Sequence, residues 1–361
     1  MRKINYLDET LMDETDDPNY AIEFSKTNNS GIYPPEKTIN ALFVSSGNLK
    51  NFDLAPFIKV QGESLSQVGI NVTYFKIKGK GSKGYINNIE NLKKFIKENN
   101  FDIIHAHFTL SGWVAALTFP KQPLILSLMG TDALGRVKSQ WQIAKVFNHL
   151  TMLTYAIQPF VKKIISKSIN IDKHVWIKKK SYILPNGVDL AKFDGKRTDF
   201  RKELHLDENK KYILFLGNKA DKNKNFQFLK EAEDELAKLN FTVIAPYPVS
   251  HQTIIKYLSC VDMVVMCSIQ EGSPNVVKEA MASNCKGVFT DVGDVREVVG
   301  NTPGYGITSF KKEDLLDKIL EVDAMPICQG RNRLIDKKLD TKNIALKLKS
   351  IYLDALKLTN P

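Results

Sequence analysis

Two periods of apolar and polar positions run along this chain. In the first half, INALFVSSGN, INVTYFKI, FDIIHAHF and PLILSLMG are short apolar runs rich in β-branched residues. Each is bounded by small or turn-forming residues and reads as a buried strand. FIKVQGESLSQVG, NIENLKKFIKENN and SGWVAALTF lie between them and read as helices. KKIISKS adds a short strand, and SYILPNGVD ends the half with a strand and a turn. The same grammar restarts at KYILFLGN. A helix over NFQFLKEAEDELAKL, a strand over FTVIAPY, a helix over HQTIIKYLSC and a strand over DMVVMCS follow. KGVFTDVG is a further strand, and TKNIALKLKSIYLDALKL is an amphipathic helix. Alternation of this kind predicts parallel sheets with right-handed crossovers. At 361 residues the chain exceeds one ordinary core. The expected fold class is therefore α/β: two Rossmann-like, doubly wound domains facing across a cleft, with ligands at the C-terminal strand edges. The expected divisions are an acidic extension over 1–38, a first domain over 39–185 completed by a helix over 342–361, and a second domain over 186–341.

Between the strand DMVVMCS and the helix NVVKEAMA sits the segment SIQEGSPN. Ser273 suits a helix N-cap, and Pro274 suits the first helical position, where its missing N–H costs nothing. The free N–H groups of that helix end would face an anion such as phosphate. Glu279 lies six residues past Ser273, roughly 9 Å down the axis at about 1.5 Å per residue. That is a plausible reach from a diphosphate to a ribose, whose two hydroxyls one carboxylate can accept. Glu271 lies on the other side of the phosphates, where a sugar would sit. Either glutamate alone is more often a solvated side chain; the pair on strand, turn and helix points to a site.

Composition narrows the class. Hydrophobic residues at 43% with 25% charged indicate a globular chain. No apolar run approaches the roughly 20 residues of a membrane span, and the first twenty residues are too acidic for a signal peptide. Cys260, Cys267, Cys285 and Cys328 fit no zinc spacing and read as reduced, structural thiols. No G-x-G-x-x-G follows either first strand, which argues against a nicotinamide enzyme. The charge is lopsided: residues 38–185 carry 20 Lys/Arg against 7 Asp/Glu, whereas residues 1–37 carry 4 against 8. A basic half of this kind fits an anionic surface. Aromatics are not interleaved with the lysines as a nucleic-acid platform would require, so a membrane leaflet is the expected partner and nucleic acid is not.

EGSPNVVKEAMASN followed by DVGDVREVVG resembles the signature of the family-4 retaining glycosyltransferases of the GT-B fold. LPNGVDLAKF resembles their hinge motif, FLGNKADKNKNFQFLKEA their diphosphate loop, and HAHFTLSGWVAAL with SLMGTD their N-domain edge. The resemblance covers about residues 39–358. It implies that Glu279 holds the donor ribose and Glu271 the donor sugar. It also implies that Gly272, Ser273, Pro274, Asn275 and Val276 surround the diphosphate and sugar, with Lys224 neutralising the diphosphate. A positioned cation suits that role on chemical grounds, because a departing nucleoside diphosphate gains charge. Gly47 and Asn48 stand where the family's Gly-rich loop approaches the phosphates. Two departures are visible. After Gly217, Asn218 and Lys219 occupy the place of a common arginine, so Lys219 is a substitute candidate. Met129 stands where the family has a histidine; either that contact is lost or His107, at the end of the neighbouring strand, supplies a polar group.

The expectation is a retaining glycosyltransferase with a nucleotide-sugar donor, UDP-linked first and GDP-linked next. The acceptor would be a glycan or polyprenyl-linked hydroxyl on the basic first domain. Catalytic candidates are Glu271, Lys224 and His107. No cofactor or metal is expected. The expected location is cytoplasmic, with peripheral attachment to the inner face of the membrane as an extension of the charge argument. Closure is expected about Pro185–Asp189 and the last helix. A GT-B sugar-nucleotide epimerase, or a non-catalytic sugar- or lipid-binding partner of another transferase, would share parts of the pattern.

Overall fold

The computed structural model describes residues 38–49, 53–139, 142–143 and 148–357. The acidic extension expected over 1–38 lies, apart from its last residue, outside the described residues.

The first sheet contains β1 (Ile39–Ser46), β2 (Ile70–Ile77), β3 (Ile103–His107) and β4 (Leu124–Leu128). A small antiparallel pair, β5 (Val137–Ser139) and β6 (Gln142–Ile143), stands apart. β7 (Lys163–Ser166) and β8 (Ser181–Ile183) complete the first sheet, in the order β2-β1-β3-β4-β7-β8, all parallel. The second sheet is built from β9 (Lys211–Leu214), β10 (Phe241–Ile244), β11 (Met263–Met266), β12 (Lys286–Thr290) and β13 (Tyr305–Thr308). Its order is β10-β9-β11-β12-β13, again all parallel. β3, β4 and β11 are buried along their whole length, which explains their continuous apolar runs: helices cover both faces. In each sheet the strand order reverses beside its first strand, and the crevices where ligands bind in such sheets open there. In the second sheet, the loops after β9 and β11 flank that point.

Most expected helices form, and two readings need adjustment. NFQFLKEAEDELAKL is two helices, Phe226–Lys230 and Glu233–Lys238, separated at the buried Ala232 (φ −101°, ψ 1°). β13 and the helices His149–Ile157 and Lys312–Ala324 were not part of the expected pattern. Among the described residues, no helix is long and apolar enough to cross a membrane.

The last helix, Thr341–Leu356, starts at Asp340, whose carboxylate accepts the Asn343 N–H at 2.9 Å. It packs against the helix Pro56–Ser66 beside the first sheet. Tyr352, fully buried on it, meets His105 of β3 at 2.7 Å, and the other His105 ring nitrogen meets Ser127 Oγ at 2.8 Å. Burial holds His105 well below the usual histidine range, so its ring is neutral and both nitrogens need partners. Tyr352→Phe strands one of them, a cost of about 1–3 kcal/mol. The expected outcome is a lower urea midpoint with an unchanged slope; an unchanged midpoint would show that the pair adds nothing.

Candidate donor site

The site forms where β11 ends. Ile269 N–H donates to Asn223 O at 2.9 Å, Gln270 N–H to Asn223 Oδ1 at 3.2 Å, and Asn223 Nδ2 to Gln270 O at 2.9 Å. The loop after β9 is thus fastened to the loop after β11. This brings Lys224 Nζ within 2.6 Å of Glu271 Oε1.

The following turn runs unusually close to its neighbours. A Cβ on Gly272 would lie 2.8 Å from Ile171 Cδ1 and 3.4 Å from Met129 O. Gly293 packs from the opposite side at φ +65°, where an added Cβ would lie 2.4 Å from Gly272 O. Only glycine fits that conformation and spacing.

Ser273 is not the N-cap. The helix is Asn275–Ala282 and its N-cap is Pro274, with no side chain capping it. Ser273 is instead buried in an ion-pair network. Its hydroxyl donates to Asp294 Oδ2 at 2.7 Å and accepts from Lys278 Nζ, which lies 3.2 Å from the same carboxylate. The shifted start leaves the N–H groups of the helix end free of side-chain caps. It also puts Glu279 five residues beyond the N-cap rather than six. Asn186, of the LPNGVD segment, ties on here: its N–H reaches Ser273 Oγ at 3.3 Å and its amide reaches Asn275 Oδ1 at 3.2 Å.

These elements enclose a cleft of about 370 Å³. Of the expected site residues, Gly217, Lys224, Glu271, Gly272, Ser273, Pro274, Asn275, Val276 and Glu279 line it. Five others stand elsewhere. Asn218 folds its side chain back to accept the Ala220 N–H at 3.0 Å, and Lys219 is exposed with its ammonium 5.6 Å from the Phe226 ring centre. Asn48 bonds to both backbone groups of Gly79, and a Cβ on Gly47 would sit 3.0 Å from Lys76 Cβ, so the glycine serves the approach to β2. His107 is buried in β3, donating from Nε2 to Gln61 Oε1 at 3.0 Å and stacked on His105 at 4.3 Å. Burial first, then repulsion from Lys167, hold it down at about 3.

Of the residues at the site that were not expected, three bear on its chemistry. Tyr247 lines the cleft beside Pro246. His251 Nε2 lies 3.4 Å from Glu279 Oε1, and this hydrogen bond raises His251 above the ordinary histidine value despite partial burial. Lys167 lines the cleft from the end of β7. Asp132, of the SLMGTD segment, is buried and accepts the Met129, Gly130 and Thr109 N–H groups. Its place is to hold the loop that carries Met129 into the cleft wall.

Comparisons with known proteins bear on the family and the fold. Residues 43–168 match the family model described as Glycosyl transferase 4-like, and residues 210–323 match Glycosyl transferases group 1. The chain belongs to this glycosyltransferase family. A Bacillus subtilis (strain 168) protein, TuaC, named provisionally as a teichuronic acid biosynthesis glycosyltransferase, is 27% identical over 229 residues. The match covers 55% of each chain, so this protein spans about half the length of that relative. Sucrose-phosphate synthase (tll1590) from Thermosynechococcus elongatus superposes with a TM-score of 0.69 at 15% identity, over 90% of this chain and 100% of the other. Anabaena Alr3699/HepE in complex with UDP gives 0.62 at 14%, over 86% and 99%. These structural likenesses establish the GT-B fold.

The Glu279–His251 contact is testable by itself. A histidine raised in the folded state stabilises the protein below its unfolded value, near 6.5, and that contribution is lost as pH rises through the folded value. NMR titration of His251 should give a midpoint above 6.5, and Glu279→Ala should bring it down. A midpoint unmoved by the substitution would remove the contact.

Proposed function

We propose that this protein is a retaining glycosyltransferase that takes a sugar from a nucleoside diphosphate. The observation that carries the reading is the convergence of Glu279, the open helix end at Asn275 and the Lys224–Glu271 pair on one cleft. The ribose lies on Glu279, and the base is placed by the wall at Pro246 and Tyr247. The diphosphate meets the N–H groups of Ser273, Asn275 and Val276. Lys224 then turns from Glu271 toward the phosphates, and Glu271 is freed for the sugar hydroxyls. As the glycosidic C–O bond breaks, charge builds on the diphosphate, and Lys224 and the helix end stabilise it without reorganising. The acceptor attacks on the same face, and its proton passes to the departing phosphate oxygen. This route needs no separate protein base, and the neutral, buried His107 is given no chemical role in it. No cofactor or metal is assigned to the step.

For the acceptor, a lipid-linked or surface glycan at an anionic leaflet is the reading we favour. Phe160, Trp176 and Met152 are 63%, 58% and 56% exposed. Phe160 packs on Trp113 at 5.7 Å, and Trp176 bonds to Tyr155 O on the neighbouring helix. Exposed Lys162, Lys173 and Lys179 lie nearby in sequence. Aromatic side chains with lysines around them suit a lipid headgroup boundary.

Thermal shift with UDP, GDP, ADP and dTDP tests the donor site. A ligand that binds only the folded state adds about 2.7 kcal/mol at a hundredfold excess over Kd. One base should stabilise the protein and lose its effect in Glu279→Ala. No shift from any of the four would favour a non-catalytic partner protein, consistent with Met129 in place of the family histidine. For the surface, co-sedimentation with phosphatidylglycerol vesicles should exceed that with phosphatidylcholine. It should fall in high salt and in Phe160→Ser combined with Trp176→Ser. Binding indifferent to lipid charge and salt would count against it.

A further inference from the structure

Lys167 follows β7 and is only 2% exposed. Its ammonium nitrogen is buried, with no hydrogen-bond partner among the described residues. It nevertheless lines the donor cleft, packed beside Gly272: a Cβ added there would lie 3.3 Å from Lys167 Cβ. A buried cation without a counter-charge is costly and persists only if it is neutralised or paired.

The charged groups around it offer no pairing. Lys278, from the helix Asn275–Ala282, is a like charge whose own needs are met by Ser273 and Asp294. His105 and His107 of β3 are neutral rings held down by burial, with Lys167 adding to the effect. In the cleft wall, Glu271 is engaged by Lys224, and Glu279 by His251. Burial, then repulsion from Lys278, push the amine down to about 7. Asn218 and Lys219, which follow Gly217, do not line the cleft, so Lys224 and Lys167 are the lysines that do.

We propose that Lys167 is an anion-binding residue of the donor site, its ammonium group pairing with an oxyanion of the donor. The oxyanion is either a diphosphate oxygen or a carboxylate on the transferred sugar. The inference rests on the cleft being a donor site. It adds that the first sheet, not only the second, supplies donor charge, so a bound anion ties the two sheets' loops together. It also implies that the amine takes up a proton as the anion arrives.

Calorimetric titration of UDP, UDP-glucose and UDP-glucuronate, with GDP, ADP and dTDP alongside, tests this at pH 8 in Tris and in HEPES. The difference between the two buffers' ionisation heats reports protons exchanged. Nucleoside diphosphates bring no titration of their own there, their last phosphate proton leaving at about pH 6. An amine with a value of about 7 is roughly nine-tenths unprotonated at pH 8, so wild type should take up close to one proton per site. Lys167→Met, which fills the same space without a charge, should abolish the uptake and weaken binding about tenfold or more. Weakening for UDP and UDP-glucose alike assigns the diphosphate; weakening confined to UDP-glucuronate assigns a sugar carboxylate. Wild type that binds with no proton uptake, or Lys167→Met that binds as wild type does, overturns this inference and leaves the donor site standing. Wild type that binds none of the nucleotides overturns both.

Discussion

One hydroxyl organises the site. Ser273 Oγ donates to Asp294 and accepts from Lys278 and from the Asn186 N–H, so three separate segments are anchored to a single turn. Lys278 belongs to the helix whose open end faces the cleft, and Asp294 to the loop after β12. Asn186 belongs to the segment leading out of the first sheet. A buried ion pair of this kind contributes little net stability against an apolar substitute, yet removing one partner strands a charge at about 3–5 kcal/mol. Its value here is positional. It holds Gly272 and Pro274 where the backbone N–H groups meet the cleft, and it fixes Glu271 and Glu279 on either side of them.

The same network sets the electrostatics of its surroundings. Lys278 is a fixed positive charge whose partner is already committed, so the nearest buried amine, Lys167, feels repulsion as well as desolvation. Among the described residues the cleft therefore contains two compensated carboxylates, Glu271 with Lys224 and Glu279 with His251, and one amine without a partner. A negatively charged ligand with hydroxyl groups at both ends would satisfy all three at once. That is the chemical description of a nucleotide-linked sugar.

Much of this was legible in the residue pattern, and the failures have physical reasons. Fully buried parallel strands announce themselves as continuous β-branched runs, so both sheets could be read from them. The Glu-Gly-Ser-Pro turn and Glu279 were readable because turn chemistry is local. Ser273 was misjudged as a cap because its partners, Lys278 and Asp294, include one that lies twenty-one positions away. The family resemblance placed Asn218 and Lys219 in the cleft, but Asn218 makes a local turn bond and Lys219 lies over an aromatic face. Lys167 gave no signal at all: a lysine at a strand end is ordinarily solvated, whereas here it is buried with the Gly272 turn packed against it. His251 opened an expected helix and carried no site signal; its contact with Glu279 depends on how the helix His251–Cys260 is seated.

The central claim is that Glu279, the helix end and Lys224 form one nucleotide-sugar site. The most direct measurement is a crystal structure of the protein with the nucleoside diphosphate that stabilises it. The account predicts both ribose hydroxyls on the Glu279 carboxylate, with the diphosphate against the N–H groups of Ser273, Asn275 and Val276 and Lys224 turned from Glu271 to meet it. A nucleotide bound away from Glu279, or a diphosphate that leaves the Lys224–Glu271 pair intact and the helix end unoccupied, would contradict it.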